Sequence, residues 1–555
     1  MKRTEKGLMQ SRFIFLLCLI SVMLLGLFAR SFYLQYLESD FLNSEGEKKH
    51  FKYDSILASR GSIFDRNGVP LAVSIPAYRL IVDPKTLLKR DNYSQLLSSL
   101  SKIISKPERE IDSEIRKRSS KSYFVLKREL RKSDVEKLRK ENYGSYIYLE
   151  TFYKRFYPNG ETTSHLLGFT NSDDKGQEGL EYALNNALSG RNGKKKIITD
   201  LNQKIIADVE MINQPLEGKD FHSSIDIKIQ HFAHQALKSA IEDHNAKGGS
   251  IVVMDIMTGE ILAISNQPAG DLSLSRNRVP SIYKNKAITD RFEPGSTFKT
   301  FTMVTALEYL VFDPEDTTET LPLQIGSTTV KDPRDHGVLS MEEVLIKSSN
   351  AGISRIALQL EPCDLFTIFK SLGFGEISSS GFPGEASGTL DTNCNSWRER
   401  KIASLSYGYG IDVSLIQLAS AYATIANKGI KTPITLRKIE NETVDSARVL
   451  SEETSENIMK MLKNVAKRGA PKAQINGYSI AGKTGTARIA AANYSSDRHN
   501  ALFVGITPLK KPRLSIAIII NEPKGEYYGG QVAGPIFSEI GSHSLRLLGI
   551  APDEK

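Results

Sequence analysis

From Phe13 to Ala29 the chain carries no charged residue. That run is about the ~17-residue minimum for a helix that crosses a bilayer. Phe32, Tyr33 and Leu34 extend it, with the Arg30 head reaching back toward the interface. Lys2, Arg3, Lys6 and Arg12 precede it against Glu5 alone. The positive-inside rule therefore predicts a cytoplasmic tail over 1–12, a membrane-spanning helix over 13–34 and everything later on the outer side. A cleaved signal peptide is the competing reading. Ala29-Arg30-Ser31 fits its cleavage site only weakly, because Arg stands at the centre.

The remaining length exceeds one ordinary core, so two or three folded modules are expected from 555 residues. Hydrophobic content of 40% with 25% charged residues describes globular modules. A formal charge of +9 favours anionic surroundings such as a membrane surface, and nucleic acid is the rival partner for the same charge. No basic stripe interleaved with aromatics supports nucleic acid, and Lys194–Lys196 reads as a solvated surface run. Cys18 lies in the apolar run. Cys363 and Cys394 read as two unpaired thiols, with pairing open to them in an oxidising compartment. No Cys/His cluster has metal-ligand spacing, so no metal is expected.

Organisation changes along the chain. Asn67-Gly68 between apolar runs predicts a hairpin in Arg60–Gly68. Residues 92–142 read as largely helical. A shift near 215–222 marks the main boundary, and Ser224-Ile225-Asp226 opens a helix to about Asp243. Ser250–Asp255 and Glu260–Ser265 form a hairpin through Met257-Thr258-Gly259. Ala501–Gly505 and Leu514–Asn521 repeat that strand character. Strands at both ends with helices between predict an α/β sheet built from distant segments.

Three motifs inside that C-terminal region carry chemistry: Ser296-Thr297-Phe298-Lys299, Ser348-Ser349-Asn350 and Lys483-Thr484-Gly485. Each is weak alone. Ser-xx-Lys recurs at 99–102 and 281–284, and Ser-x-Asn at 275–277 and 455–457. An isolated Ser-Ser-Asn is usually a helix cap. Context separates them. Pro294-Gly295 breaks the chain ahead of Ser296, and Phe298, Phe301, Val304, Leu307 and Leu310 continue at helical spacing. Ser296 is thus expected at a helix N-terminus, where free N–H groups stabilise an oxyanion. Lys299 is expected one turn later on the same face, within hydrogen-bonding range. Lysine titrates near ~10.4 in water, so a lysine base must be held neutral by burial and a second cation. Lys483, on a predicted strand of small residues, is the candidate cation. Ser348 is a candidate proton relay, and Asn350 a candidate to hold Lys299 and a substrate carbonyl. Thr484 and Thr486 offer hydroxyls to a carboxylate lying along the strand.

In motif order and spacing the chain resembles class B penicillin-binding proteins, and within them the division-specific peptidoglycan transpeptidases. The resemblance spans residues 13 to about 550. It includes Arg60–Gly68, Gly176–Glu181, Glu293–Lys299, Lys347–Asn350, Gly381–Gly388, Ser406–Gly410, Gly482–Thr486 and Tyr527–Gly530. It implies an α/β (α+β) transpeptidase domain over 221–548 and a mixed α/β pedestal over 35–220. It also implies a single transmembrane anchor and a short tail over 549–555. Ser296 would be the acylated nucleophile, Lys299 its base, and Ser348 and Asn350 the second motif. Lys483 would supply charge, Thr484, Gly485 and Thr486 would bind substrate, and the N–H groups of Ser296 and Thr486 would form the oxyanion hole. Implied partners are peptidoglycan stem peptides ending in D-Ala-D-Ala, β-lactams, the membrane, a polytopic glycan-polymerising protein and other division proteins. No cofactor is implied. An elongation-type transpeptidase, a D,D-carboxypeptidase, a β-lactamase or β-lactam sensor, and a non-catalytic division scaffold are the alternatives.

Overall fold

The computed structural model describes residues 2–42, 45, 51–141, 143–199, 205–272, 280–440, 443–489 and 498–554. The Ser275–Asn277 motif copy lies outside them. The chain divides into two compact units, one of Met1–Ser59, Pro76–Tyr153 and Gly190–Glu217, the other of Arg60–Ile75, Lys154–Ser189 and Gly218–Lys555.

The first unit begins with the apolar helix. Ser11–Leu37 holds an 18-residue stretch with a mean hydropathy of 2.5 and is long and apolar enough to cross a membrane. Phe51–Ile56, Gly193–Thr199 and Ile205–Asn213 make a three-stranded antiparallel sheet in that order. The stretch read as helical holds three helices, Tyr93–Ile104, Glu108–Arg116 and Lys132–Lys140, interrupted by a strand over Phe124–Lys127. Their apolar faces meet in a small core of Leu80, Val82, Leu100, Ile111, Ile115, Val135 and Leu138.

In the second unit, the 60–75 segment forms the expected hairpin. Asp65 N–H donates to the Val69 carbonyl at 2.8 Å, and Gly68 turns with φ +82°. Arg60 and Arg155 both donate to the Glu181 carboxylate, at 2.7 and 2.6 Å, in a site all three share out of solvent. Two of the family-like segments, Arg60–Gly68 and Gly176–Glu181, are therefore tied by one buried carboxylate. Removing a partner would strand charge in the interior at about 3–5 kcal/mol.

The main sheet has five antiparallel strands: β1 (Gly248–Asp255), β2 (Ile261–Gln267), β3 (Ala481–Arg488), β4 (His499–Thr507) and β5 (Leu514–Asn521). Their order is β2-β1-β5-β4-β3, so β3 stands at an edge. The β1–β2 turn is held by Asp255, whose carboxylate accepts from the Met257 and Thr258 N–H groups. Gly259 is required there, because its φ is +71° and a Cβ would lie 2.0 Å from the Pro433 carbonyl oxygen.

Strand periodicity splits two cores across the sheet. Ile251, Val253, Phe503, Ile516 and Ile518 pack under α1 (Ile227–Asp243) and the C-terminal helix Gly529–Leu547. Val252, Met254, Leu502, Val504, Ala517 and Ile519 face the helical layer on the other side. That layer includes α2 (Lys299–Glu308), α3 (Met341–Lys347), α4 (Asn350–Ala357) and α5 (Leu415–Ala426), the last buried along its whole length. Alternation within each strand therefore selects which helices it meets.

Cys363 and Cys394 are joined by a disulfide, with Cα atoms 5.1 Å apart. Sequence alone reads them as unpaired thiols, because a separation of 31 residues carries no geometric information. Cys363 lies in the first turn of the Pro362–Ser371 helix and Cys394 opens a short 3-10 turn, and the fold brings the two together.

Candidate active site

The nucleophile's position begins with backbone geometry. Gly295 takes φ +54°, and its N–H donates to the Gly408 carbonyl at 3.1 Å. Residues 295–298 form a 3-10 turn, and the α-helix starts only at Lys299. Ser296 thus sits in the tight turn ahead of α2 and not in the first α-helical turn. Two anchors fix that turn. Phe298 packs against Phe301, Phe369 and Phe374 with ring centres 4.7–5.2 Å away. The Tyr422 hydroxyl donates to the Thr297 carbonyl at 2.8 Å.

The second motif is divided between two helices. Ser348 ends α3 in the left-handed region at φ +55°. Ser349 caps α4, accepting from the Gly352 N–H at 2.8 Å, and Asn350 is the first residue of α4. The capping role expected of such a tripeptide falls to its middle residue, which frees the Ser348 hydroxyl.

That hydroxyl is where the motifs converge. Lys299 Nζ donates to Ser348 Oγ at 3.1 Å and also to the Ser348 carbonyl. Lys483 Nζ donates to the same Oγ at 3.0 Å. Lys299 is 0% exposed and Lys483 1% exposed. The expected direct hydrogen bond between Lys299 and Ser296 is not formed; the amine donates instead to both oxygens of Ser348. Nor does Lys299 donate to the Asn350 amide.

Burial pushes both lysines below the ordinary lysine range, because a cation loses its hydration there. For Lys299 the neighbouring Lys483 charge adds to that fall, and Asp332 opposes it.

Gly485 of β3 packs against the nucleophile turn, where a Cβ would meet Thr297 Cγ2 at 2.9 Å. Thr484 and Thr486 are both partly exposed on this edge strand. Thr486 Oγ1 accepts from the Gly529 N–H at 3.2 Å, which ties the Tyr527–Gly530 segment to β3.

Asp332 has no signature in the sequence. Its carboxylate accepts from Ser349 Oγ, from the Asn350 N–H at 2.5 Å and from the Ala351 N–H at 3.2 Å. Among the described residues, the other motif copies have different surroundings. Ser99 bonds Tyr143 at 2.8 Å beside an exposed Lys102, and Ser455 donates to the backbone of its own helix. Lys284 pairs with Asp290 at 2.7 Å.

A serine at a constrained turn, two buried amines sharing a hydroxyl and an open strand edge define the class of serine acyl-transfer enzymes that use lysine as base. Comparison with known proteins agrees. The family described as penicillin binding protein transpeptidase domain matches residues 249–542, and the penicillin-binding protein dimerisation domain matches residues 55–223. The chain is 35% identical to "Probable peptidoglycan D,D-transpeptidase PenA" of Neisseria meningitidis, covering 98% of this chain and 93% of that protein. It is 33% identical to peptidoglycan D,D-transpeptidase FtsI of Escherichia coli, over 98% of this chain and 92% of that one. The transpeptidase domain of Burkholderia pseudomallei penicillin-binding protein 3 superposes with a TM-score of 0.55 at 36% identity, covering 60% of this chain and 98% of that domain. The chain belongs to the class B penicillin-binding proteins, with a dimerisation domain followed by a transpeptidase domain.

Proposed function

We propose that this protein is a peptidoglycan D,D-transpeptidase of the dividing cell wall, in which Ser296 is acylated by a stem peptide ending in D-Ala-D-Ala. The observation that carries this reading is the Ser348 hydroxyl held between buried Lys299 and Lys483. The division role is supported by relatives named FtsI. Residues 35–220 act as the pedestal and 221–548 as the catalytic domain. The Ser11–Leu37 helix anchors the chain in the membrane with its N-terminus cytoplasmic, and a polytopic glycan-polymerising protein and other division proteins are its partners.

In the acylation step neutral Lys299 takes the Ser296 proton as Oγ attacks the carbonyl of the penultimate D-alanine. For this Ser296 must turn toward the amine, whose lone pair stays free while its two N–H groups are donated to Ser348. The N–H groups of Ser296 and Thr486 take the developing oxyanion. The proton passes from Lys299 through Ser348 to the departing D-alanine amine, and an ester remains on Ser296. Asn350 positions the peptide, Lys483 keeps the site cationic, and Thr484, Gly485 and Thr486 receive the peptide carboxylate along β3. An amine from a second stem peptide then attacks the ester and regenerates the serine. A β-lactam acylates the same oxygen but leaves no departing group, so its ester persists.

Labelling the full chain in detergent with a fluorescent penicillin, followed by peptide mass spectrometry, tests the reading. A stable adduct on Ser296 that Ser296→Ala abolishes is expected. An adduct elsewhere, or none on folded protein, contradicts it, and rapid drug turnover would mark a β-lactamase.

A further inference from the structure

Asp332 lies outside all three motifs, in the 331–337 loop that follows the short strand Thr328–Val330, yet it accepts two hydrogen bonds from the second motif and one from Ala351 just after it. One carboxylate oxygen takes the Ser349 hydroxyl and the other takes the Asn350 and Ala351 N–H groups. Those N–H groups open α4 and have no acceptor within the helix, so a carboxylate there satisfies them and also meets the positive end of the helix dipole. Ser349 Oγ gives its proton to Asp332 and receives the Gly352 N–H, which fixes the loop from both sides. The adjoining Ser348 is held at φ +55°, a region that a residue with a side chain rarely occupies. That backbone aims Ser348 Oγ between the two lysines. Release of Asp332 would let Ser348 return to an ordinary conformation and take its hydroxyl away.

A second consequence is electrostatic. The charges that bear on Lys299 come from Lys483 on β3 and from Asp332. Among the described residues the helices packed on α2 add no further charge to it. The Asp332 carboxylate therefore opposes, at Lys299, the effect of the like charge on Lys483.

Building on the transpeptidase reading, we propose that Asp332 is a positioning residue of the acyl-transfer site. Its carboxylate holds the Ser348–Asn350 loop in its working shape. Its negative charge also acts on the buried Lys299 amine, against the like charge of Lys483.

The two roles separate by substitution. Asp332→Asn keeps the size and one oxygen for the Asn350 and Ala351 N–H groups but removes the charge. Asp332→Glu keeps the charge on a longer arm, and Asp332→Ala removes both. The readout is the rate constant for acylation of Ser296 by a fluorescent penicillin, followed from pH 5 to 10, with folding checked by thermal melting. In Asp332→Asn the acidic limb is expected at lower pH than in wild type, because loss of a negative charge makes Lys299 easier to deprotonate. In Asp332→Glu the limb is expected to stay with the wild type while the plateau falls. In Asp332→Ala the plateau is expected to fall about tenfold or more, the scale of losing hydrogen bonds to a charged group. A purely structural role would lower the plateau without moving the limb. An Asp332→Asn limb coincident with wild type therefore overturns the counter-charge, and wild-type rates in folded Asp332→Ala overturn the positioning. A wild-type chain that takes no penicillin overturns the transpeptidase reading and this proposal with it. A wild-type chain that acylates normally confines any failure to Asp332.

Discussion

Ser-xx-Lys occurs in both units, at Ser99–Lys102 and at Ser296–Lys299, and only the surroundings differ. Ser99 lies within the helix Tyr93–Ile104, its hydroxyl 2.8 Å from Tyr143, and Lys102 is exposed to water. Lys299 is fully buried, next to Lys483 and bonded to Ser348. The first amine is left in water. Burial and a second cation drive the other toward the neutral form that accepts a proton. The tripeptide spacing is thus common to both, and catalysis belongs to the packing that removes water from one of them.

The contrast is broken most severely at the lysines themselves. Lys299→Met is expected to lower the penicillin acylation rate by roughly 10²- to 10⁴-fold, the usual share of a general base. Lys102→Met should leave it unchanged. Equal losses in both would erase the distinction.

Lys483→Met removes the second cation. The Lys299 amine then becomes a stronger proton holder, so the acidic limb of the acylation profile should move to higher pH. The rate at neutral pH should fall by roughly 10- to 100-fold with the lost charge stabilisation. A limb displaced to lower pH would contradict the like-charge account.

Gly485→Ala sharpens the comparison at the level of packing. Its Cβ, 2.9 Å from Thr297 Cγ2, would push β3 away from the nucleophile turn. A loss of about tenfold in acylation is expected, in keeping with the sensitivity of such reactions to ångström-scale misplacement.

The smallest effect on acylation is expected at the disulfide. The Cys363→Ser and Cys394→Ser double variant should lose about 2–4 kcal/mol of unfolding free energy, from the freed loop, while the folded protein acylates at nearly the wild-type rate. Melting curves and labelling rates on the same sample separate the two.

Much of the site is legible in the sequence because its parts are local. The Pro294-Gly295 break, the hairpin at Met257–Gly259 and the strands at 481–488 and 514–521 are each set by a few adjacent residues. Asp332 is not legible, since its partners are 17 to 19 residues away and the 331–337 loop has no periodic pattern. The same holds for Cys363 with Cys394 and for Arg60 and Arg155 on Glu181, pairings made by tertiary folding alone. The motif geometry was legible only in part. Spacing places Ser296 and Lys299 on one turn, but whether the amine bonds Ser296 or Ser348 depends on the left-handed backbone at Ser348.

The central claim is that Lys299 is neutral where an ordinary lysine is charged, and the pH dependence of Ser296 acylation in the full wild-type chain tests it most directly. The account predicts an acidic limb well below the ordinary lysine range and absent from the residual rate of Lys299→Met. A rate that rises only as pH approaches ~10.4, the value of a solvated lysine, would contradict it.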